Sequence, residues 1–303
     1  MKVLIVGLGS IARKHINALR QCDPEVEIYA FRSSYQAKPY ERVHDWYTWE
    51  EALGLCYDFA IISNPTSLHR QTMEKLKGSG MPLFIEKPLF DSLQGEELVE
   101  ELKRKQVPTY VACNLRFLEV IRSLHTLLQG VTVNEVNVYC GSYLPDWRPG
   151  TDYHQCYSAI PELGGGVHID LIHEIDYVYW LFGQPMMIHK LFTHKSSLGI
   201  RACDYANYLL EYPTFNVNII LNYYRRDSKR VCEIVTDEDT YTANLLDNTL
   251  SNARGSILEQ YPQRIADTYL AQMRFFLSML ETGNFNFNTV EDAYNVLKIC
   301  LEK

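Results

Sequence analysis

The first thirty residues restrict the fold of this chain more than any other segment. Residues 2–6, KVLIV, form a short apolar run that ends at Gly7. A segment with helical spacing, IARKHINALR, follows directly, and a second apolar run, EVEIYAF, comes after it. A strand, a glycine turn, a helix and another strand make a βαβ unit, so the chain is expected to begin with a parallel sheet.

The glycine turn itself has the spacing Gly7-x-Gly9-x-x-Ala12. Gly7 permits the tight turn, Gly9 allows a pyrophosphate to approach the backbone, and Ala12 is small enough for the helix to pack on the strand. The free N–H groups of Ser10 and Ile11 at the helix start would face the phosphates. The pattern predicts a nicotinamide-dinucleotide site; a turn used only for packing is the alternative.

The residues that end the second strand, Arg32, Ser33 and Ser34, bear on the choice of cofactor. An acidic residue at this place would hold the 2′-hydroxyl of NAD, whereas a cation beside two hydroxyls suits a 2′-phosphate. The sequence therefore favours NADP over NAD. In the alternative interpretation Arg32 only stacks on the adenine, which would fit either cofactor.

Two patterns of secondary structure follow each other along the chain. Apolar strands alternate with helices up to about residue 117, which is typical of a parallel sheet buried on both faces. After that point strands with partial alternation lie beside one another, as in an antiparallel open sheet. We expect an α/β chain with a Rossmann dinucleotide-binding domain at 1–117 and an α+β domain at 118–303, the C-terminal helices being free to pack back on the first domain. A ligand would lie at the carboxyl ends of the first domain's strands.

Composition excludes several classes of protein. The chain has 303 residues and a net charge of -8, without the basic footprint of a nucleic-acid-binding surface. No apolar run approaches the roughly 20 residues that span a bilayer, and the N-terminus does not resemble a signal peptide. Its eight cysteines are scattered without a C-x-x-C pair, which indicates reduced thiols, no metal site and a cytoplasmic protein.

A lysine stands at the carboxyl end of a buried strand in the segment FIEKPL, directly before a proline. Such a position faces the ligand crevice, and lysine is rarely buried without a role. The alternative is a solvated charge, Lys87, paired with its neighbour Glu86.

Five motifs in order resemble the glucose-fructose oxidoreductase / inositol dehydrogenase / MocA (Gfo/Idh/MocA) family: VGLGSIARKH, ISNPTSLH, EKP, CNLRF and GGGVHIDLIHEID. The resemblance implies NAD(P)-dependent hydride transfer on the hydroxyl or carbonyl of a sugar, polyol or sugar derivative, including sugar nucleotides. It also implies a homodimer or homotetramer formed through the open sheet, and a proline, Pro88, that is often cis. The further cofactor contacts that the matching motifs imply are Asn64, Pro65, Thr66, His69, Glu86, Lys87 and Asn114.

The polar residues of the segment 166–182, read as one helix, share a face. Asp170, His173, Glu174 and Tyr177 follow the spacing i, i+3, i+4 and i+7, so this stripe should line a cavity or meet the other domain. By the resemblance it lines the substrate pocket, with His173 as the catalytic base and Asp170 positioning the sugar or the histidine. Lys87 would then stabilise the charge that develops on the reacting oxygen.

Other interpretations of this helix stay open. Asp170 and His173 are three residues apart rather than the four of many family members, so direct contact of Asp170 with substrate is uncertain. His173 could be a core histidine. A metal site is disfavoured, because His168 points about 160° away from Asp170 on an ideal helix. Asp176 is expected to orient His173 or to cap a neighbouring element, and Glu174 to be a salt-bridge partner.

The loop before this helix, residues 143–158, is rich in aromatic and charged residues and could cover the pocket. Two arginines would suit a phosphate, a carboxylate or a nucleotide-sugar diphosphate, unless Arg148 pairs with Asp146 or Asp152. The predicted substrate contacts are Arg116, Trp147, Arg148, Tyr153, His154 and Tyr177.

The sequence thus predicts a dehydrogenase or reductase that acts on CH–OH groups. Two alternatives remain. One is a relative that keeps its nucleotide bound and uses transient oxidation to cleave a glycoside. The other is a non-catalytic NADP(H)-binding sensor or partner protein, although a sensor would need only the phosphate turn.

Overall fold

The computed structural model describes residues 1–302. They form two compact units, the first comprising residues 1–113 together with the chain from Tyr269 onward, and the second Asn114–Thr268. The expected boundary lay at residue 117. In the structure the first unit ends at Cys113 and takes in most of the C-terminal helical segment.

The first unit contains a six-stranded sheet whose neighbouring strands are all parallel, in the order β3-β2-β1-β4-β5-β6. This is the strand order of a dinucleotide-binding fold. Its strands are β1 Lys2–Val6, β2 Glu27–Phe31, β3 Val43–Trp46, β4 Phe59–Ile62, β5 Leu83–Glu86 and β6 Thr109–Ala112, and its helices are α1 Ser10–Cys22, α2 Trp49–Leu53, α3 His69–Leu76 and α4 Glu96–Arg104.

The central strands are apolar and fully covered, as expected of a parallel sheet with helices on both faces. All residues of β4 and β5 are buried. The elements β3 and α2 were not predicted from the sequence, because VHDW is short and largely polar. A signal for α2 was nevertheless present: Thr48 and Glu51 form a capping box, in which the Thr48 hydroxyl accepts from the Glu51 N–H at 3.2 Å and Glu51 Oε2 accepts from the Thr48 N–H at 3.0 Å.

The C-terminal segment completes the first unit with helices α8 (Thr268–Thr282) and α9 (Val290–Leu301). Asn288, just before α9, binds the outer edge of β6: its side-chain amide donates to the Val111 carbonyl at 2.6 Å, and its own carbonyl accepts from the Val111 N–H at 2.8 Å. A sheet edge with unpaired backbone groups invites pairing with another chain, and this contact covers it.

The second unit contains an eight-stranded sheet in the order β14-β13-β12-β11-β7-β10-β9-β8. Every neighbouring pair is antiparallel except β7 and β10. The predicted fold class is confirmed. The strands are β7 Val133–Tyr143, β8 Met187–Thr193, β9 Tyr205–Glu211, β10 Asn216–Asn222, β11 Tyr224–Thr236, β12 Thr240–Asn244, β13 Thr249–Ser251 and β14 Ile257–Gln260, and the helices are α5 Glu119–Leu127, α6 Val167–Asp170 and α7 His173–Phe182.

The predicted single helix at 166–182 is two helices. Leu171, with φ -98° and ψ 24°, interrupts the helical geometry after the short α6, and α7 begins at His173. The spacing that placed four polar residues on one face therefore crosses a break. Asp170 ends one helix and His173 begins the next.

Of the described residues 1–302, none belongs to a helix long and apolar enough to cross a membrane, and no three histidine, cysteine, aspartate or glutamate side chains cluster as metal ligands would. All eight cysteines carry free thiols, and five of them are buried.

Candidate active site

The turn between β1 and α1 requires glycine at its first position. Gly7 has φ +91°, and a Cβ added there would lie 2.5 Å from the Cα of Asn64, which follows β4. Both the backbone angle and the close approach exclude a side chain. The turn therefore holds the ends of β1 and β4 against each other.

The start of α1 fits a pyrophosphate. Gly9 is the N-cap and supplies no side chain to the exposed N–H groups, and the first turn carries no acidic residue. A Cβ added at Gly9 would meet no atom within 4 Å, so the space beside it is open. Ala12 is fully buried, as the packing role requires. Free N–H groups and a helix N-terminus without a counter-charge are suited to hold an anion, and Ser10 and Ile11 lie in that first turn.

The motif after β4 is a structural element of this turn. The side-chain amide of Asn64 donates to the Thr72 hydroxyl at 2.8 Å. His69 is buried, with Nε2 3.0 Å from the Asn64 carbonyl oxygen and Nδ1 3.2 Å from that of Leu89. Burial lowers the pKa of His69, and the neutral ring can donate to only one carbonyl at a time. The prediction of His69 as a cofactor contact is wrong, since its ring nitrogens face the backbone; Pro65 and Thr66 begin the exposed turn beside it.

The segment Glu86-Lys87-Pro88 ends β5 with a cis bond between Lys87 and Pro88, as the resemblance implied. Two groups of the first unit hold the Glu86 carboxylate. It forms a short hydrogen bond with Nε2 of His15, a fully buried residue of α1, and accepts the Lys87 N–H at 3.2 Å. Glu86 therefore ties the phosphate-turn helix to the backbone of Lys87, whose side chain is half-buried.

His15 is a site residue that was not predicted from the sequence. It lies within VGLGSIARKH, three residues after Ala12, and a histidine on the buried face of an otherwise apolar helix stripe was the available signal. Its ring also packs edge-on against Phe84 and Tyr269, with centroids 4.8 and 5.9 Å away.

In the second unit the carboxylate of Asp170 accepts a hydrogen bond from the hydroxyl of Tyr223 at 2.5 Å. Tyr223 is fully buried between β10 and β11, and its ring meets the Trp147 indole edge-on at 5.3 Å. Burial, and then the charge of Asp170, raise the pKa of Tyr223 well above its ordinary value, so the phenol stays a donor. Nothing local in the sequence connects two residues that are 53 positions apart.

Two further residues of the predicted polar stripe on α7, Glu174 and Tyr177, do not reach solvent. Glu174 is fully buried and accepts two hydrogen bonds from the guanidinium of Arg230 on β11, one of them at 2.8 Å. Burial opposes the charge of Arg230, but the Glu174 carboxylate and the neighbouring Cys140 and Tyr177 together raise the arginine pKa. The interpretation of Glu174 as a salt-bridge partner is confirmed.

Tyr177 is fully buried as well, and burial together with Glu174 raises its pKa. The predicted role of Tyr177 as a substrate contact is wrong for this conformation, because no part of it is accessible. His173, the first residue of α7, is half-buried.

Arg116 and Asp176 form a second buried ion pair, with Nε–Oδ2 and Nη2–Oδ1 distances of 2.9 and 2.7 Å. The fork of Arg116 is thus already bound to a carboxylate, and its side chain is only 4% exposed. The prediction of Arg116 as a substrate cation is therefore wrong for this conformation, while Asp176 as the orienter of His173 stays a prediction. Asn114, a predicted cofactor contact, is also buried and donates to the Thr268 hydroxyl at 2.7 Å.

A family model described as an oxidoreductase family with an NAD-binding Rossmann fold matches residues 1–113. The first 113 residues thus match the NAD-binding domain of the Gfo/Idh/MocA family. Among curated Gfo/Idh/MocA relatives, the rhizopine catabolism protein MocA of Rhizobium meliloti is 24% identical over 208 residues, which cover 64% of this chain and 61% of that protein. The chain thus aligns with less than two thirds of that relative's length.

Solved structures share the whole fold. UDP-N-acetylglucosamine 3-dehydrogenase GnnA of Acidithiobacillus ferrooxidans superposes with a TM-score of 0.80 at 18% identity, over 100% of this chain and 96% of the other. The WlbA dehydrogenase of Bordetella pertussis, solved with NADH and UDP-GlcNAcA, gives a TM-score of 0.80 at 16% identity, over 98% and 93%. These likenesses show that the fold of both units is shared with solved structures.

The loop that precedes α6 carries several exposed polar and aromatic side chains. Trp147 donates its indole N–H to Ser142 at 2.9 Å, and the Tyr153 hydroxyl donates to the Leu198 carbonyl at 3.1 Å. Asp152 pairs with His154, whose Nδ1 lies 2.9 Å from the carboxylate. Arg148 is exposed and lies with Trp147 and Tyr153 around one small apolar pocket. Of the predicted substrate contacts, these loop residues keep accessible groups, whereas Arg116 and Tyr177 do not.

Proposed function

We propose that this protein is a nicotinamide-dependent oxidoreductase that transfers a hydride between the cofactor and a CH–OH group of a sugar derivative, with sugar nucleotides as the first class to test. The single observation that carries the proposal is the β1–α1 turn, where an uncapped helix N-terminus, an obligatory glycine and open space at Gly9 suit a pyrophosphate. GnnA and WlbA, named for or solved with UDP-sugars, support the substrate class.

The bound nicotinamide would accept or return the hydride, and the protein would handle the accompanying proton. We assign that proton to His173, since an imidazole titrates near neutral pH. Lys87 would hydrogen-bond the reacting oxygen and stabilise its developing negative charge. Asp170, held by the Tyr223 hydroxyl at 2.5 Å, would orient the substrate or the imidazole as a fixed acceptor.

Hydrogen bonds hold the backbone of Lys87 in place, which suits this role. Glu86 accepts the Lys87 N–H, and buried His15 holds the Glu86 carboxylate in turn. A lysine on such a support loses less freedom when it binds a substrate oxygen than one on a mobile loop.

The test compares Lys87→Ala and His173→Ala with two surface controls, Lys75→Ala and His194→Ala. Turnover is measured with UDP-N-acetylglucosamine, free aldoses and inositol, and dinucleotide binding is measured separately by nicotinamide fluorescence. Loss of a positioned proton donor or acceptor typically costs about 10²- to 10⁴-fold, so both site variants should lose turnover by that factor and still bind the dinucleotide.

Turnover that survives both site substitutions would overturn the assignment of Lys87 and His173. A protein that binds dinucleotide but turns over no member of the panel would favour the sensor alternative. A cofactor that co-purifies and is never released during turnover would favour transient oxidation of a glycoside.

We also propose that the protein self-associates through the open face of the eight-stranded sheet. Met187 and Leu191 on β8 and Leu209 on β9 point to the same face, since His189 pairs with Leu209 and Leu191 with Asn207. These three side chains are 54%, 56% and 40% exposed, while Tyr208 and Leu210 on the opposite face are fully buried. An exposed face with apolar side chains on the edge strand β8 and on its neighbour β9 suits a partner of the same kind.

A further inference from the structure

Arg32 lies where the adenosine end of a dinucleotide would bind. It follows β2 directly, and the last carbonyl of that strand, from Phe31, accepts the Gly7 N–H at 3.1 Å. The end of β2 and the phosphate turn are therefore joined by a hydrogen bond. In this fold the residue at that end meets the 2′ position of the adenosine ribose.

The guanidinium of Arg32 already has two partners. Its Nη1 lies 2.8 Å from Oδ1 of Asp45, and its Nη2 donates to the Lys38 carbonyl at 3.2 Å. The side chains of the pair are 9% and 14% exposed. Asp45 belongs to β3 and lies opposite Ala30 of β2, so its carboxylate is held by the sheet rather than by a flexible loop.

This pairing reverses what Arg32 alone suggests. A free guanidinium presents a planar fork that matches a phosphate, but here a carboxylate occupies the fork and neutralises its charge. A 2′-phosphate would bring about -1.5 to -2 charges close to the Asp45 carboxylate. A 2′-hydroxyl is neutral and can donate to a carboxylate oxygen. The neighbouring Ser33 and Ser34 carry no charge to compensate, and the Ser34 hydroxyl accepts the Gln36 N–H at 3.1 Å.

We propose that Asp45 sets the cofactor specificity of this protein, and that it does so by holding Arg32 so that NAD(H) is bound in preference to NADP(H). This inference rests on the proposed dinucleotide site of the first unit. It replaces the preference for NADP that the sequence suggested. That preference rested on Arg32 alone, because the sequence does not show that Asp45, 13 residues farther along the chain, pairs with it.

The experiment measures the dissociation constants of NADH and NADPH for the full chain by nicotinamide fluorescence and calorimetry, without turnover. The wild type should bind NADH at least about 10-fold more tightly than NADPH. Asp45→Asn keeps the shape of the side chain but removes its charge, so it should change the ratio by about 10-fold or more toward NADPH. Glu50→Gln on the neighbouring α2 makes the same change in net charge and should leave the ratio unaltered.

A second variant keeps the proposal testable if Asp45→Asn fails to fold. Arg32→Ala leaves Asp45 unpaired and should weaken NADPH binding further while NADH binding changes little. Wild-type protein that binds NADPH as tightly as NADH, or an Asp45→Asn variant with an unchanged ratio, would overturn the role of Asp45. Folded wild-type protein that binds neither dinucleotide would overturn the proposed function itself, which separates the two failures.

Discussion

At the scale of single residues, two buried carboxylates of α7 are each neutralised by an arginine from a distant segment. Glu174 and Asp176 lie among apolar residues of α7, where an unpaired charge is costly. Their partners, Arg230 and Arg116, are 56 and 60 positions away. Local spacing indicates a face of a helix, whereas an ion pair depends on the register of a sheet that is assembled from distant segments. Buried structural pairs and substrate ligands therefore look alike in the sequence.

Protonation of a single histidine should make the second unit sensitive to acid. Burial lowers the pKa of His168 from its usual 6.5 to about 4 in the folded protein. Above about pH 6.5 the His168 ring is mainly neutral in both the folded and the unfolded chain, so its protonation does not lower the free energy of unfolding. As the pH falls toward 4, only the unfolded chain takes up the proton, and folding is weakened by about 2 kcal/mol at about pH 5.

The measurement is the free energy of unfolding in urea at about pH 7 and about pH 5 for the wild type, His168→Gln and the surface control His194→Gln. The difference between the two pH values should shrink by about 2 kcal/mol in His168→Gln and stay as in the wild type in the control. Burial also lowers the pKa of His69 in the first unit, so His69 adds to the loss of stability at low pH. The wild type should therefore lose more free energy of unfolding between the two pH values than the amount that His168→Gln abolishes. Equal acid sensitivity in all three proteins would contradict the role of His168.

At the scale of elements, long apolar patterns could be read correctly and short or interrupted ones could not. The run at 133–143, one of the partly alternating segments expected after residue 117, is strand β7. The segment 166–182 has helical periodicity throughout, yet the helix breaks at Leu171. On the two sides of the break, Asp170 is hydrogen-bonded to Tyr223 and Glu174 to Arg230. Tertiary contacts override local periodicity where both compete for the same backbone.

The turn between β1 and α1 provides a prediction at this scale. Gly7→Ala should lower the free energy of unfolding by about 3 kcal/mol or more, since it combines a backbone at φ +91° with a methyl group 2.5 Å from a backbone atom. Gly80→Ala is the matched control in the same unit: it has φ +74° but no atom within 4 Å of the added methyl. Gly80→Ala should lower the free energy of unfolding only by the cost of a left-handed backbone, about 1–2 kcal/mol.

Chemical denaturation of the two glycine variants measures the difference, with circular dichroism as the probe. We expect Gly7→Ala also to lose dinucleotide binding, because the phosphate turn can no longer close, and Gly80→Ala to retain it. Equal stability of the two variants would mean that the close approach of Asn64 to Gly7 relaxes at little cost.

At the scale of the whole molecule, the proposed self-association gives the clearest test. Replacing Leu191 and Leu209 together by lysine puts two charges on the exposed apolar face of β8 and β9, which should convert the assembly to monomers. The control is Leu246→Lys, a residue of similar exposure, 47%, in the turn after β12. Light scattering after size exclusion gives the mass of each protein, and a wild type that is monomeric at every accessible concentration would exclude the proposal.

The order of the chain in the first unit has a consequence for its biosynthesis. The second unit is inserted between residues 113 and 269, and its two ends, Asn114 and Thr268, are hydrogen-bonded to each other at 2.7 Å. Asn288 covers the edge of β6, so this edge stays uncovered during synthesis until residue 288 has left the ribosome. A truncation that removes α9 and Asn288 would leave an open parallel edge in an otherwise finished sheet, and aggregation would follow before any loss of the inserted unit.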